Sequence, residues 1–236
     1  MERFRILSNL AADGTDVNPG RLGDLAAELD IPVADLLVVA GRPVPVELLP
    51  PERDPDATKR FAFRTSHCDH AQLALLEGFV RSLPRLAAPG PFVPPVSPYH
   101  RPAETGSAAV FNGLIRNRGF GVGELPFLGL SRSTLLGMTA NWEPSPHRQH
   151  QLCSVAGALG WTLPDLFAVV GQPYSEELRP ITLCRHVGRV FTAAAHLTTA
   201  QLVAAAEEAD RLSAREDEGV WQSVSQGFVA ECPDFA

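Results

Sequence analysis

Residues 22–50 read LGDLAAELDIPVADLLVVAGRPVPVELLP, and residues 152–180 read LCSVAGALGWTLPDLFAVVGQPYSEELRP. A shift of 130 positions aligns the two stretches without a gap and gives 11 identities in 29 positions. Self-similarity at one fixed offset marks an internal duplication. The chain is therefore predicted to contain one structural unit twice.

Each copy has the pattern of two consecutive helices. Apolar residues recur at helical spacing from Leu152 to Leu159, which is typical of an amphipathic helix. Gly160 is predicted to end this helix, Thr162 to cap the next one, and Gly171 to end that helix. The first copy repeats the arrangement, and no segment shows convincing strand alternation. The sequence therefore predicts an all-α fold.

Each helix pair is predicted to be followed by a long amphipathic helix, near Leu73–Leu83 in one copy and Gln201–Leu212 in the other. The segment 84–106 contains seven prolines, a density that favours an extended, stiff connector. The predicted organisation is two tandem helical units with a linker and a tail: 1–83, a truncated first unit; 84–106, a Pro-rich linker; 107–213, the second unit; 214–236, an acidic and aromatic tail.

The charge distribution sets a condition on nucleic-acid partners. The chain has a net charge of −7, whereas DNA affinity depends on cations that neutralise phosphates. A DNA-binding surface would therefore have to be locally basic. Residues 101–148 hold five arginines and three glutamates, and the acidic residues concentrate at 207–218. This middle stretch is compatible with DNA.

Targeting and redox signals are absent from the sequence pattern. The start Met1–Arg5 does not have the pattern of a signal peptide, and no apolar run approaches the length of a membrane span. The four cysteines are scattered without the spacing of a disulfide framework or a zinc site. We therefore expect a cytoplasmic protein with reduced thiols and no membrane partner.

The second copy contains a motif ahead of its repeated helices. A predicted helix over 109–118 precedes Gly129-Leu130-Ser131-Arg132-Ser133-Thr134-Leu135-Leu136, and the two repeated helices follow. This stretch resembles the helix-turn-helix of phage-repressor-like (XRE/Cro-type) transcription regulators. The whole chain is similar to actinobacterial members in which a second, degenerate helix-turn-helix follows the first.

The resemblance implies a function and a set of contacts. In this family the start of the third helix contacts bases, and nearby arginines contact phosphates. It implies double-stranded DNA as a partner, with Arg132, Ser133 and Thr134 facing the bases and Arg116, Arg118 and Arg148 contacting phosphates. We also expect a homodimer, formed through the long helices, and a small-molecule or protein effector is a further candidate partner.

Three features depart from the family pattern. The recognition helix exits through 139–143, which lacks the cluster of arginines usual there. Pro126 lies where the second helix of the motif should run, which predicts a short or bent helix there. The first copy begins at the counterpart of the recognition helix, Glu2–Ala12, which carries Arg3, Arg5 and Asn9. These departures favour an alternative: a protein- or small-ligand-binding module on a helix-turn-helix scaffold that no longer binds DNA. A third hypothesis is a biosynthetic enzyme that uses this scaffold.

Other polar clusters are interpreted structurally. His67-Cys68-Asp69-His70 and the group His147, His150 and Cys153 lack a fourth ligand at customary spacing, so we interpret both as polar residues at a loop and a helix start. The glycines at 119, 121 and 123 follow a helix, which favours a turn over a nucleotide loop. We predict no catalytic residues, no metal site and no cofactor. The aromatic pairs Phe61/Phe63 and Trp142/Trp161 are predicted to lie in the core or at an interface.

Overall fold

The computed structural model describes residues 2–13, 18–86, 90–91, 105–120, 132–143, 145, 148–175, 178 and 182–214. Within them the regular structure is helical, which confirms the predicted all-α fold. The helices in chain order are α1 (Glu2–Asp13), α2 (Pro19–Leu29), α3 (Val33–Val39), α4 (Pro55–Thr65), α5 (His70–Ser82), α6 (Gly106–Arg116), α7 (Arg132–Asn141), α8 (Gln149–Leu159), α9 (Leu163–Val169), α10 (Thr182–Ala193) and α11 (Thr199–Ser213).

The repeated segments form the predicted helix pairs, α2–α3 and α8–α9. Gly160 ends α8 in the left-handed conformation, with φ 72°, and the Thr162 hydroxyl accepts a hydrogen bond from the Asp165 amide at 3.3 Å. In the first copy Asp30 takes the same left-handed conformation, with φ 49°, which Asp tolerates better than most residues. Both copies therefore turn in the same way.

Helices α4 and α10 are additional to the predicted set. Asp54 caps α4 by accepting a hydrogen bond from the Asp56 amide at 2.9 Å, and Pro55 occupies the first helical position. A capping carboxylate followed by proline is a recognised helix-start signal. It identifies α4 in retrospect.

The two halves of the chain pack into each other. Helix α4 packs on α11, α10 packs on α5, and α1 packs on α9. Buried residues from both halves belong to one continuous apolar cluster. The arrangement thus differs from two self-contained tandem bundles. Most of the predicted linker (87–89 and 92–104) and the tail from 215 onward lie outside the described residues.

An approximate two-fold symmetry relates the halves. The Gln72 amide of α5 donates to the Leu212 carbonyl at the end of α11 at 3.3 Å. Reciprocally, the Gln201 amide of α11 donates to the Pro84 carbonyl, just past the end of α5, at 2.8 Å. Because each helix start contacts the other helix end, α5 and α11 lie antiparallel across the symmetry axis.

This pairing covers the helix faces through which a dimer is expected from the sequence. Long amphipathic helices must cover their apolar faces, and the described residues include the two that the sequence predicts. Two segments of one chain meet at a high effective concentration, so α5 and α11 pack against each other. Their apolar faces are consequently buried within the chain: Leu73, Leu76, Val80, Leu202, Ala205, Ala209 and Leu212.

The helices of the described ranges were compared with the length and apolarity of a membrane span. No single helix in the described ranges combines the length and apolarity of a membrane span, although α8 and α9, which meet at 113°, together reach that threshold by length and composition.

Candidate functional site

The segment predicted to be the recognition helix forms the helix α7. It begins at Arg132 and packs on α6. Its own residues Leu135 and Met138 are buried, and Trp142, just past its end, stacks edge-on against Phe111 of α6 at 5.1 Å. The side chains of Arg132, Ser133 and Thr134 lie outside the described part of the structure.

Two of the predicted phosphate contacts are accessible. Arg116 lies in the last turn of α6 and is exposed. Arg148 immediately precedes α8 and is also exposed. Both side chains can reach a polyanion without any rearrangement of the core.

The structure corrects the third predicted phosphate contact. Arg118 is only 3% exposed, so it cannot reach a DNA phosphate in this conformation. Its Nη1 donates to Asp35 Oδ1 at 2.6 Å, and its Nη2 donates to the Leu159 carbonyl at 2.6 Å. Arg118 therefore fastens the end of α6 to α3 and α8.

Asp35 is the centre of this buried network. Besides Arg118, it accepts hydrogen bonds from Asn117 Nδ2 at 2.9 Å and from Trp161 Nε1 at 3.0 Å. A buried carboxylate needs such partners because desolvation is costly. Sequence reasoning missed the network because arginine is seldom fully buried unless it is paired, and the pairing joins residues 83 positions apart.

The repeat equivalent of Asp35 is paired in the same manner. Asp165 of α9 receives a bidentate pair from Arg3 of α1, with both N–O distances at 2.7 Å. Each half thus supplies the arginine for the aspartate of the other half. Arg3 remains 40% exposed, so this pair is wetter than the first.

Helix α1 keeps one polar face open. Leu7 and Leu10 are buried against the core, whereas Arg5 and Asn9 are exposed. Arg5 and Asn9 are one helical turn apart and therefore share a face. Together they form an exposed polar face on α1.

A cleft of about 610 Å³ lies where the two repeat copies meet. The equivalent turns 29–32 and 159–162 both line it. Six arginines also line it, contributed by α1, α5, α10 and the segments after α5 and α6: Arg3, Arg81, Arg85, Arg118, Arg185 and Arg189. The cleft therefore lies near the approximate two-fold axis.

Carboxylates neutralise four of these arginines. Asp165 pairs with Arg3 and Asp35 with Arg118. Glu77 pairs with both Arg81, at 2.8 Å, and Arg189, at 3.1 Å, and Asp30 adds one further charge to the lining. Six arginines against four carboxylates leave two positive charges in excess. Arg85 and Arg185 are both exposed, and neither forms an ion pair with another described residue.

Another buried arginine, Arg53, lies beside this region without a carboxylate partner in the described residues. Its Nη2 donates to the carbonyls of Ala194, at 3.0 Å, and Ala195, and its Nη1 to that of Arg118 at 3.2 Å. Burial lowers the pKa of Arg53 to about 9, so it stays cationic at neutral pH. The carbonyls at the ends of α10 and α6 suit a cation because a helix C-terminus carries partial negative charge.

Two histidines make stability depend on pH. Burial, then the charges of His70 and Arg189, lower the pKa of His186 below its ordinary 6.5. The pKa of His196 is likewise lowered, chiefly by burial and also by the charges of Arg85 and Arg53. Hydrogen bonds to the backbone of Leu83 and Ala193 act in the opposite direction. As the pH falls, these histidines therefore bind protons at a higher pH in the unfolded chain than in the folded one.

We expect the two neutral histidines to contribute to the free energy of unfolding fully above pH 6.5. This contribution should fall as the pH drops through 6.5 toward the pKa values of the folded state. Thermal unfolding of the wild type and of the His186→Gln/His196→Gln double variant, between about pH 7.5 and 5.5, checks this. The double variant should show a smaller loss of Tm on acidification. An identical loss in both proteins would contradict the assignment.

The cluster at 67–70 has structural contacts. Burial first, then Asp69 and Asp210, raise the pKa of Cys68 to about 12, which keeps the thiol protonated. Asp69 caps α5 through the Gln72 amide at 2.8 Å. His70 stacks edge-on against His186 at 4.7 Å. These contacts tie the start of α5 to α10.

Comparison of the chain with protein-family models, with curated proteins and with solved structures gives no match in any of the three.

Proposed function

We propose that the protein is a sequence-specific, DNA-binding transcription regulator whose single chain supplies two reading helices, α1 and α7. Helix α1 precedes the repeated pair α2–α3 as α7 precedes α8–α9, so α1 and α7 hold equivalent places in the order of the duplicated unit. Helix-turn-helix regulators commonly insert two equivalent helices into successive major grooves by forming dimers. Here the pairing of α5 with α11 within one chain would replace dimerisation.

The open face of α1 carries this proposal. Arg5 and Asn9 are exposed at a spacing of one turn. Arginine suits the acceptor edge of guanine, and asparagine suits the donor–acceptor edge of adenine. Exposed Arg116 and Arg148 flank the second unit as phosphate contacts, and the expected base-facing residues Arg132, Ser133 and Thr134 lie in the first turn of α7.

A gel-shift titration against duplex DNA from the promoter region of its own gene tests the proposal. We expect a specific complex that weakens with salt, and we expect Arg5→Glu and Arg132→Glu to abolish it. Arg116→Ala and Arg148→Ala should each weaken binding on all sequences and lower the salt slope by about 1. Arg211→Glu on α11, an exposed arginine paired only locally with Glu208, serves as the control and should change nothing.

Absence of a specific complex at moderate salt would contradict the proposal. A complex that tolerates both Arg5→Glu and Arg132→Glu would contradict it equally. Circular dichroism of the same variants separates a lost contact from a lost fold, because Arg5 is an exposed side chain.

The alternative, a ligand-binding module that has lost DNA binding, is favoured by a different observation. Arg118 is committed to Asp35, and a cleft of ligand size opens between the two copies. Failure of the gel shift together with binding in this cleft would favour the alternative.

A further inference from the structure

We propose that the cleft between the two repeat copies binds a phosphorylated small molecule of nucleotide size, with Arg85 and Arg185 as the side chains that contact its anionic groups. Arg85 and Arg185 both lie outside the proposed DNA-reading helices α1 and α7. The inference therefore stands whether or not the chain binds DNA.

The first argument for this site is the charge of the cleft. The chain as a whole has a net charge of −7, yet this cleft collects six arginines. Like charges at close range repel, so such clustering costs stability unless something compensates it. Four carboxylates supply most of the compensation, and Arg85 and Arg185 remain without an ion pair in the part of the chain described. A dianionic ligand would complete the balance.

The donors are also pre-positioned. Glu77 is largely buried and holds Arg81 and Arg189 at once, while Asp165 holds Arg3. A guanidinium carries five N–H donors, so each of these arginines keeps donors that a carboxylate does not use. Arginine is the residue best suited to planar, bidentate recognition of phosphate. The paired arginines thus form a fixed rim, and Arg85 and Arg185 provide the uncompensated charge.

The size and lining of the cleft define the rest of the ligand. A volume of about 610 Å³ lies within the range of roughly 300–1,000 Å³ that holds small molecules and cofactors. Apolar residues also line the cleft, among them Ile31, Leu159 and Trp161. The Trp161 Nε1 donates to Asp35, which holds the ring in place. A lining that combines apolar residues with arginines suits a ligand that carries both an aromatic moiety and phosphates, which is the chemistry of a nucleotide.

Calorimetric titration of the intact protein with ATP, inorganic pyrophosphate and adenosine tests the site. We expect saturable binding of ATP and pyrophosphate at one site per chain, and none of adenosine alone. Arg85→Ala and Arg185→Ala should each weaken ATP binding about tenfold or more, since a charge-assisted hydrogen bond is lost. Arg5→Ala, an exposed arginine outside the cleft lining, should leave ATP binding unchanged.

Three outcomes would overturn the inference. One is no saturable ATP or pyrophosphate binding at millimolar concentration. Another is binding that both cleft variants leave unchanged while their circular dichroism remains that of the wild type. The third is a loss of the DNA complex in Arg85→Ala equal to that in Arg5→Glu, because the cleft would then be part of a DNA surface. If the DNA complex does not form but ATP binds in the cleft, the DNA proposal is wrong and the inference about the cleft is supported.

Discussion

Replacement of Asp35 by alanine is expected to destabilise the protein by about 3–5 kcal/mol, the range for breaking a buried ion pair. The change removes the acceptor for Arg118, Asn117 and Trp161 together. Arg118 would then be a buried cation that keeps only carbonyl partners. Urea denaturation followed by circular dichroism measures the loss.

The duplication provides a matched control for this variant. Asp165 is the repeat equivalent of Asp35, but its partner Arg3 is 40% exposed and can return to water when the carboxylate is removed. Asp165→Ala should therefore cost only about 1–2 kcal/mol. Equal losses in the two variants would contradict the proposed difference in burial between the two networks.

Replacement of Gly188 by alanine is the second large effect. At this residue α10 crosses α8 with backbone against backbone: an added Cβ would lie 2.0 Å from the Gly157 carbonyl oxygen and 2.3 Å from the Gly160 nitrogen. Neither atom belongs to a side chain that could turn away, so the helices must separate. Overpacking usually costs about 1–3 kcal/mol, and we expect about 3 kcal/mol or more here.

Gly78 is the corresponding control. It lies inside α5, and an added Cβ would meet nothing within 4 Å. Gly78→Ala should therefore stabilise the protein by about 0.5–1 kcal/mol, since glycine is the poorer helix former. Thermal unfolding of both variants checks the contrast. A Gly188→Ala protein as stable as the wild type would show that α8 and α10 do not cross this closely.

The repeat was sufficient to predict the local structure. Helix pairs α2–α3 and α8–α9 begin and end where apolar spacing and caps such as Thr162 place them. A helix, α7 (Arg132–Asn141), also forms within and beyond the motif at 129–136. These features depend on residues within one or two turns of each other, which a single sequence displays directly.

The packing of each half of the chain on the other could not be predicted in the same way. An apolar stripe such as Leu73–Val80 indicates that a face is buried, but it does not say which helix covers it. The stripe therefore suggested a second chain, whereas the structure covers it with α11 of the same chain. The hydrogen bonds of Gln72 and Gln201 that join the two halves connect residues 140 and 117 positions apart.

The candidate sites were affected by the same limit. Arg118 lies beside the predicted DNA-binding motif, and only its long-range partner Asp35 shows that it is structural. The cleft was missed because Arg85 and Arg185 carry no local motif and meet only when the two copies interlock. Residue type and spacing thus predicted helices at α1 and α7 but not the arginine-lined cleft.

The interlocked fold underlies both proposals, and co-expression of the fragments 1–91 and 105–236 tests it most directly. We predict that the fragments purify as a 1:1 complex with the helical circular dichroism of the intact chain and one cooperative unfolding transition. Each fragment alone should lack that transition, because α4, α5 and α1 would lose α11, α10 and α9. Two fragments that fold separately as helical monomers, without associating, would contradict the account.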